Sequence, residues 1–177
     1  MERWVVAAKR ADFAAIGKEF GIDPVIARLI RNRDVQDREE IRRYLHGTVE
    51  ELASSHLMKD VDKAVEILRN KIKEKKRIRI SGDYDIDGVV STFILIKGLK
   101  RVGALADTYI PDRVADGYGI HEHLIERAVN DGIDVIVTCD NGIAAYNEIA
   151  MAKEKGMTVI ITDHHEIPYK ETEDGRE

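Results

Sequence analysis

The sequence predicts an α/β fold, a parallel sheet flanked by helices in three layers, with a helical N-terminal appendage. Past about residue 77, four short β-branched runs, Ile78–Ile80, Ala106–Ile110, Val135–Thr138 and Thr158–Thr162, alternate with helix-like stretches at Val89–Val102, His121–Asn130 and Ala144–Lys155. Strands that alternate with helices build βαβ units and hence a parallel sheet. Runs such as VIVT and TVIIT are apolar at successive positions, as in strands covered on both faces. The first half lacks such runs.

Residues 11–19 and 23–32 carry apolar and charged residues at mixed spacing, broken near Gly21, and a short segment after Asp37 carries Ile41 and Leu45. Over residues 60–74, Val61, Ala64, Val65, Leu68 and Ile72 fall at helical intervals. The expected organisation is a helical region over 1–75 and an α/β domain over 76–177.

At 177 residues, with 44% hydrophobic and 34% charged side chains, the chain has room for one core and a small appendage. A net charge of −5 argues against gripping nucleic acid by bulk charge. Local basic clusters remain: Arg28, Arg31 and Arg33, then Arg42 and Arg43, then the run from Lys71 to Arg79. Their ordinary role is a solvated helix face. The single cysteine, Cys139, allows no internal disulfide. The N-terminal apolar patch is short and charged on both sides, and no run approaches membrane-spanning length. The expectation is a soluble, cytoplasmic protein without membrane partners.

In open parallel sheets ligands bind beyond the carboxyl ends of the strands. The first strand runs into Ser81-Gly82-Asp83-Tyr84-Asp85-Ile86-Asp87-Gly88. Three carboxylates at alternate positions repel one another unless a cation lies among them, and hard divalent cations prefer oxygen. An EF-hand opens similarly, but it needs a Glu at the twelfth position and a helix before the loop. Counted from Asp83, that position is Ile94, and a strand precedes the loop. The third strand ends in Cys139-Asp140-Asn141-Gly142 and the fourth in Asp163-His164-His165-Glu166. One Asp before Gly is ordinarily a turn or cap. Acids and imidazoles at one end of three strands point to a metal site. Mixed carboxylate and imidazole donors suit manganese, and also magnesium, zinc or iron. Two ions about 3.5–4 Å apart, bridged by a carboxylate such as Asp140, would suit in-line attack on a phosphodiester.

Together the segments SGDYDIDG, CDNGI and TDHHEIP resemble the DHH phosphoesterase superfamily, named for the triplet at Asp163-His164-His165. Within it they are similar to the RecJ-type exonucleases, whose further signature is matched by Pro111-Asp112-Arg113 with Gly117-Tyr118-Gly119. The helical lead-in extends the resemblance over nearly the whole chain. It implies metal-dependent 5′→3′ hydrolysis of single-stranded DNA to mononucleotides, in repair and recombination, with a helicase or single-strand-binding protein as partner. It implies two divalent ions, manganese first and magnesium second. Asp85 and Asp140 would hold one, and Asp87, Asp140 and His164 the other. Asp83 would be a further ligand, His165 would face the scissile phosphate, Asp163 would orient its neighbours, and Arg113 would contact phosphate. Tyr84 and Tyr118 are stacking candidates for bases.

Other branches of the superfamily act on short oligonucleotides, cyclic dinucleotides or polyphosphate, and some relatives are scaffolds without metals. Retention of the acids and imidazoles argues against the scaffold. Ser81 stands where many members have His. The family pattern also continues beyond Glu177 to a fourth motif with another metal-binding Asp and a second domain. The 177-residue chain is therefore expected to fold with little or no nuclease activity of its own. Gly117-Tyr118-Gly119 lacks the third glycine of a dinucleotide fingerprint and reads as a flexible turn near the site. His121 and His123, two apart, would point to different faces of a helix, which argues against a shared metal. There is no G-x-S-x-G elbow.

Overall fold

A strand with successive apolar residues has no side to offer to water, and β3 (Val135–Cys139) is buried along its whole length, its Thr138 included. It lies at the centre of a parallel sheet with β1 (Arg77–Ser81), β2 (Leu105–Tyr109) and β4 (Thr158–Thr162), in the order β2-β1-β3-β4. The register pairs Ile80 with Val137 and Thr138 with Ile161. The structure, a computed structural model, describes residues 9–169, Arg3, Val5 and the hairpin strands β5 (Glu171–Thr172) and β6 (Gly175–Arg176). Most of the N-terminal apolar patch and of the acidic tail lies outside the described residues.

Helices cover both faces. On one, Ile78 and Ile80 of β1, Val135, Val137 and Cys139 of β3 and Ile160 of β4 form a core. Packed against it are Ala64, Ile67, Leu68 and Ile72 of α4 (Val61–Lys73) and Leu95 and Ile96 of α5 (Ile86–Arg101). On the other, Ile136 and Val159 meet Ile125 and Ala128 of α6 (Glu122–Asn130) and Ile149 and Ala152 of α7 (Tyr146–Glu154). The chain leaves β1 towards β2 over the first face and returns to β3 over the second. The crevice between the ends of β1 and β3 is therefore a topological switch point.

The chain divides into two compact units, 1–58 and 59–177. This corrects the boundary expected at residue 75. Ala64, Ile67, Leu68 and Ile72 of α4 pack, partly buried, against the core of the sheet, so the helix belongs to the α/β unit. The first unit holds α1 (Phe13–Phe20), α2 (Pro24–Asn32) and α3 (Arg38–His46). Asp12, Asp23 and Asp37 cap their first turns, the last with a reciprocal capping box to Glu40. Ala27, Ile30 and Ile41 are buried. Among the described residues no helix is long and apolar enough to cross a membrane.

The basic run ending at Arg79 is partly structural. The Arg79 side chain is only 11% exposed. Its Nε and Nη2 donate to the two carboxylate oxygens of Asp107, each at 2.8 Å, and its Nη1 donates to Asp131 at 2.8 Å. Such charge-assisted, bidentate pairing fixes both partners. Arg79→Ala should lower the free energy of unfolding by roughly 2 kcal/mol, read by urea titration at pH 7. The bond from Arg79 holds the Asp131 carboxyl below its usual range. The stability that this pairing adds is fully present above about pH 4 and lost as pH falls through the lowered value. The gap between the parent chain and the variant should therefore narrow in thermal melts below pH 4.

Candidate active site

The site is built where three strands stop. After β1 the chain turns through Gly82 and Asp83 into α5, which Asp85 caps. Its Oδ1 accepts the N–H groups of Asp87 and Gly88 at 2.9 and 3.0 Å. The cap is why the helix starts at Ile86, ahead of the Val89 read from the apolar pattern. The Gly88 N–H holds the Asp85 carboxyl below the ordinary range, against the opposing effect of burial. Asp83 is 2% exposed, and its Oδ1 is buried without a hydrogen-bond partner. An orphaned buried carboxylate oxygen is costly unless a cation satisfies it.

After β3, Asp140 turns the chain with φ of 62°, left-handed backbone that a non-glycine residue seldom adopts. Its N–H donates to Thr162 at 3.0 Å, which ties the turn to the end of β4. Its carboxylate is buried and lies 2.8 Å from His164 Nε2. Burial, with the nearby charge of Asp85, pushes the Asp140 carboxyl up. The next residue, Asn141, is fully buried, and its Nδ2 donates to the Ser81 carbonyl at 3.4 Å. That contact bridges the switch point.

After β4, Asp163 has a fully buried carboxylate. Its Oδ2 accepts from the Ile143 N–H at 2.9 Å. Its Oδ1 accepts from the backbone N–H groups of His164 at 2.8 Å and His165 at 3.1 Å, and from His165 Nδ1 at 2.7 Å. Burial works against its charge, yet these donors hold the carboxyl below its usual range. In return Asp163 raises the affinity of the His165 ring for a proton. A carboxylate only accepts, so His165 carries its proton on Nδ1.

The structure gathers these side chains into two groups that share Asp140: Asp83, Asp85 and Asp140, and Asp140, His164 and His165. Within each group the potential ligand atoms lie within 4.8 Å of one another. Oxygen donors with imidazoles on one side, and an unsatisfied buried oxygen among them, fit a hard or borderline divalent cation. Asp83, expected as a supplementary ligand, sits inside the first group. Asp87 belongs to neither group among the described residues, but lines an open cleft with Ser91, Asp140, Asp163 and His164. Arg113 lies over the Tyr84 ring, 5.3 Å from its centroid, beside the acidic loop. Ser81 lines a narrow crevice with Arg79, Tyr109, Ile120 and Ile125, on the α6 side of the sheet.

The reasoning about His121 and His123 needs correction. His121 precedes α6 in extended conformation, so helical geometry does not apply, and the two rings stack 5.9 Å apart. His123 pairs with Asp116 at 2.9 Å. Sequence reasoning also missed the Asn141 bridge, whose only signal was a turn-like Asn-Gly. Tyr118, a stacking candidate on its sequence, has its hydroxyl against the Asp140 carbonyl and His165. Burial and the carboxylates of Asp163, Asp83, Asp140 and Asp85 push the Tyr118 phenol up to about 12.

With this geometry in hand, the pattern of the DHH family, N-terminal domain, matches residues 77–176. The chain belongs to the DHH family. It is 37% identical over 165 residues to the single-stranded-DNA-specific exonuclease RecJ of Bacillus subtilis, covering 93% of this chain and 21% of that protein. The corresponding protein of Salmonella typhimurium is 37% identical over 145 residues, 81% of this chain and 24% of its own length. The chain thus spans less than a quarter of the length of these relatives. A crystal structure of exonuclease RecJ bound to manganese superposes with a TM-score of 0.60 at 36% identity, covering 63% of this chain and 29% of that one. RecJ of Thermus thermophilus in complex with Mn2+ gives a TM-score of 0.59 at 26% identity, covering 88% and 21%.

Two glycines of α5 separate close approach from idle space. A Cβ on Gly88 would lie 2.4 Å from the Asp83 carbonyl oxygen and 2.5 Å from its nitrogen, whereas one on Gly98 would meet nothing within 4 Å. Gly88→Ala should cost about 2 kcal/mol of stability, because the acidic loop must move. Gly98→Ala should stabilise by roughly 0.8 kcal/mol through helix propensity. Urea titration of the two variants side by side checks both signs.

Proposed function

We propose that the strand-end site hydrolyses phosphodiester bonds of single-stranded DNA with the help of two divalent cations, manganese being the first choice. The observation that carries this reading is the pair of ligand groups sharing Asp140 at the switch point. Likeness to manganese-bound RecJ and to single-stranded-DNA-specific exonucleases supports the metal and the substrate. Exonucleolytic release of mononucleotides with 5′→3′ polarity follows from the sequence resemblance.

Asp83, Asp85 and Asp140 would hold one cation, and Asp140 with His164 the other, with Asp87 at the edge of the cleft. Bound cations supply Lewis acidity that makes a water nucleophilic near neutral pH and offsets charge on the phosphoryl oxygens. The chain's own residues do the rest. Asp163 holds the His165 ring and fixes its tautomer, so that ring meets the phosphate as an oriented group rather than a mobile one. Arg113, seated on Tyr84, offers a planar cation to a second phosphate oxygen. Backbone contacts and stacking require no base sequence, as expected of a single-strand exonuclease.

Calorimetric titration of the 177-residue chain with manganese tests the centre. Uptake of manganese is expected, and Asp140→Ala should abolish it at both groups. A parent chain that takes up no manganese, or an Asp140→Ala variant that binds as the parent does, would sink the proposal. Because the Asp140 carboxylate is buried near Asp85, Asp140→Asn should lose the metal yet melt at a higher temperature than the parent in metal-free buffer. Degradation of 5′- and 3′-labelled single strands by this chain reads activity and polarity.

A further inference from the structure

Tyr118 is carried to Asp140 and His165 by a turn that few residues could make. Gly117 and Gly119 flank it with φ of 77° and 94°, conformations that favour glycine. The turn is anchored upstream by Asp116, whose carboxylate accepts from the Asp112 N–H at 2.8 Å and the Tyr109 hydroxyl at 2.9 Å. From there the Tyr118 hydroxyl reaches two different turns at once. It lies 3.3 Å from the Asp140 carbonyl, after β3. It lies 3.2 Å from Nδ1 and 3.4 Å from Nε2 of His165, after β4. The two rings meet edge-on, with centroids 5.7 Å apart and planes at 69°.

His165 has its Nδ1 proton committed to Asp163. One hydrogen bond fixes the tautomer and the distance, but leaves a half-exposed ring free to tip about it. Asp140 keeps a left-handed backbone, and such backbone persists only where its surroundings over-determine it. The phenol hydroxyl touches both weak points. A base-stacking role needs the ring of Tyr118 and not its hydroxyl, so the hydroxyl's contacts separate the two roles.

We infer that Tyr118 is a positioning residue: its hydroxyl donates its one hydrogen to the Asp140 carbonyl, and the ring thus anchored, meeting His165 edge-on, fixes the tilt of the imidazole. The inference rests on the reading of this site as a metal-dependent phosphodiesterase centre, in which His165 faces the phosphate. Tyr118 acts there through His165 and Asp140. The glycine-flanked turn is the arm that delivers it.

The test is Tyr118→Phe in the 177-residue chain, which removes only the hydroxyl from a residue that is 49% exposed. Histidine-ring 15N–1H correlation spectra of the metal-free protein are recorded first. The parent should show His165 as one tautomer, protonated on Nδ1. In the variant the His165 nitrogens should shift and the ring signals broaden, while His123, held by Asp116, stays in place. Superimposable His165 signals would overturn the inference and leave Tyr118 to stacking. Manganese titration follows, with affinity in Tyr118→Phe expected to fall about tenfold, as for loss of a group that orients ligands. Failure of the parent to bind manganese, with the His165 shift present, would remove the metal-centre reading and leave the positioning role standing.

Discussion

Like charges repel, and the ends of β1, β3 and β4 hold several of them close together in surroundings that exclude much of the water. Most of the local architecture follows from that constraint. Asp85 spends one oxygen on the first N–H groups of α5, where the helix dipole favours an anion. Asp163 is wrapped by donors until its charge is fully met. Asp140 has fewer partners and a raised pKa, and Asp83 keeps an unsatisfied oxygen. Asp163 is a carboxylate at rest. Asp85, with only Oδ1 engaged, joins Asp83 and Asp140 as a carboxylate that asks for a cation.

The sheet supplies the rigidity that this demands. The core on the α4–α5 face and the core on the α6–α7 face clamp β3 and β4 between them. Thr138 and Asn141 then extend the clamp past the strand ends. Thr138 Oγ1 donates to the Asn141 carbonyl at 2.8 Å, and Thr162 Oγ1 donates to the Thr138 carbonyl at 2.6 Å. Threonines at the ends of β3 and β4, with the Asn141 contact to Ser81 of β1, therefore lock three strand ends into one frame, and the acids are mounted on it.

Much of this was legible in the sequence because its signals are local. Consecutive apolar residues in VIVT marked a strand buried on two faces, whereas TVIIT forms an edge strand buried only at Ile160; the acids directly after both fell at the sheet's carboxyl edge. What was not legible depended on partners distant in sequence. The stripe of α4 was evident, but not that the sheet would cover it. Alternation in Asp83, Asp85 and Asp87 suggested equivalent ligands, yet the chain becomes helical at Ile86 and period-two geometry ends there. Asp87 thus rides on the first turn of α5 while Asp83 stays with the strand. His121 was misjudged because a residue just before a helix does not share its face geometry. Tyr118 meets residues 22 and 47 positions away through one hydroxyl, a contact that no spacing rule announces.

The strand order has a thermodynamic corollary. In β2-β1-β3-β4 the acidic loop follows one strand and Asp140 follows its neighbour, and that pairing joins Ile78 to Val135 across two intervening helices and a strand. No short piece of the chain contains both halves of the crevice. A ligand that needs both binds only molecules in which this distant pairing has closed, and by mass action it favours that closed state over any partly folded one. Occupancy of the crevice is then linked to the most non-local event in the folding of the domain, rather than to the ordering of a single loop.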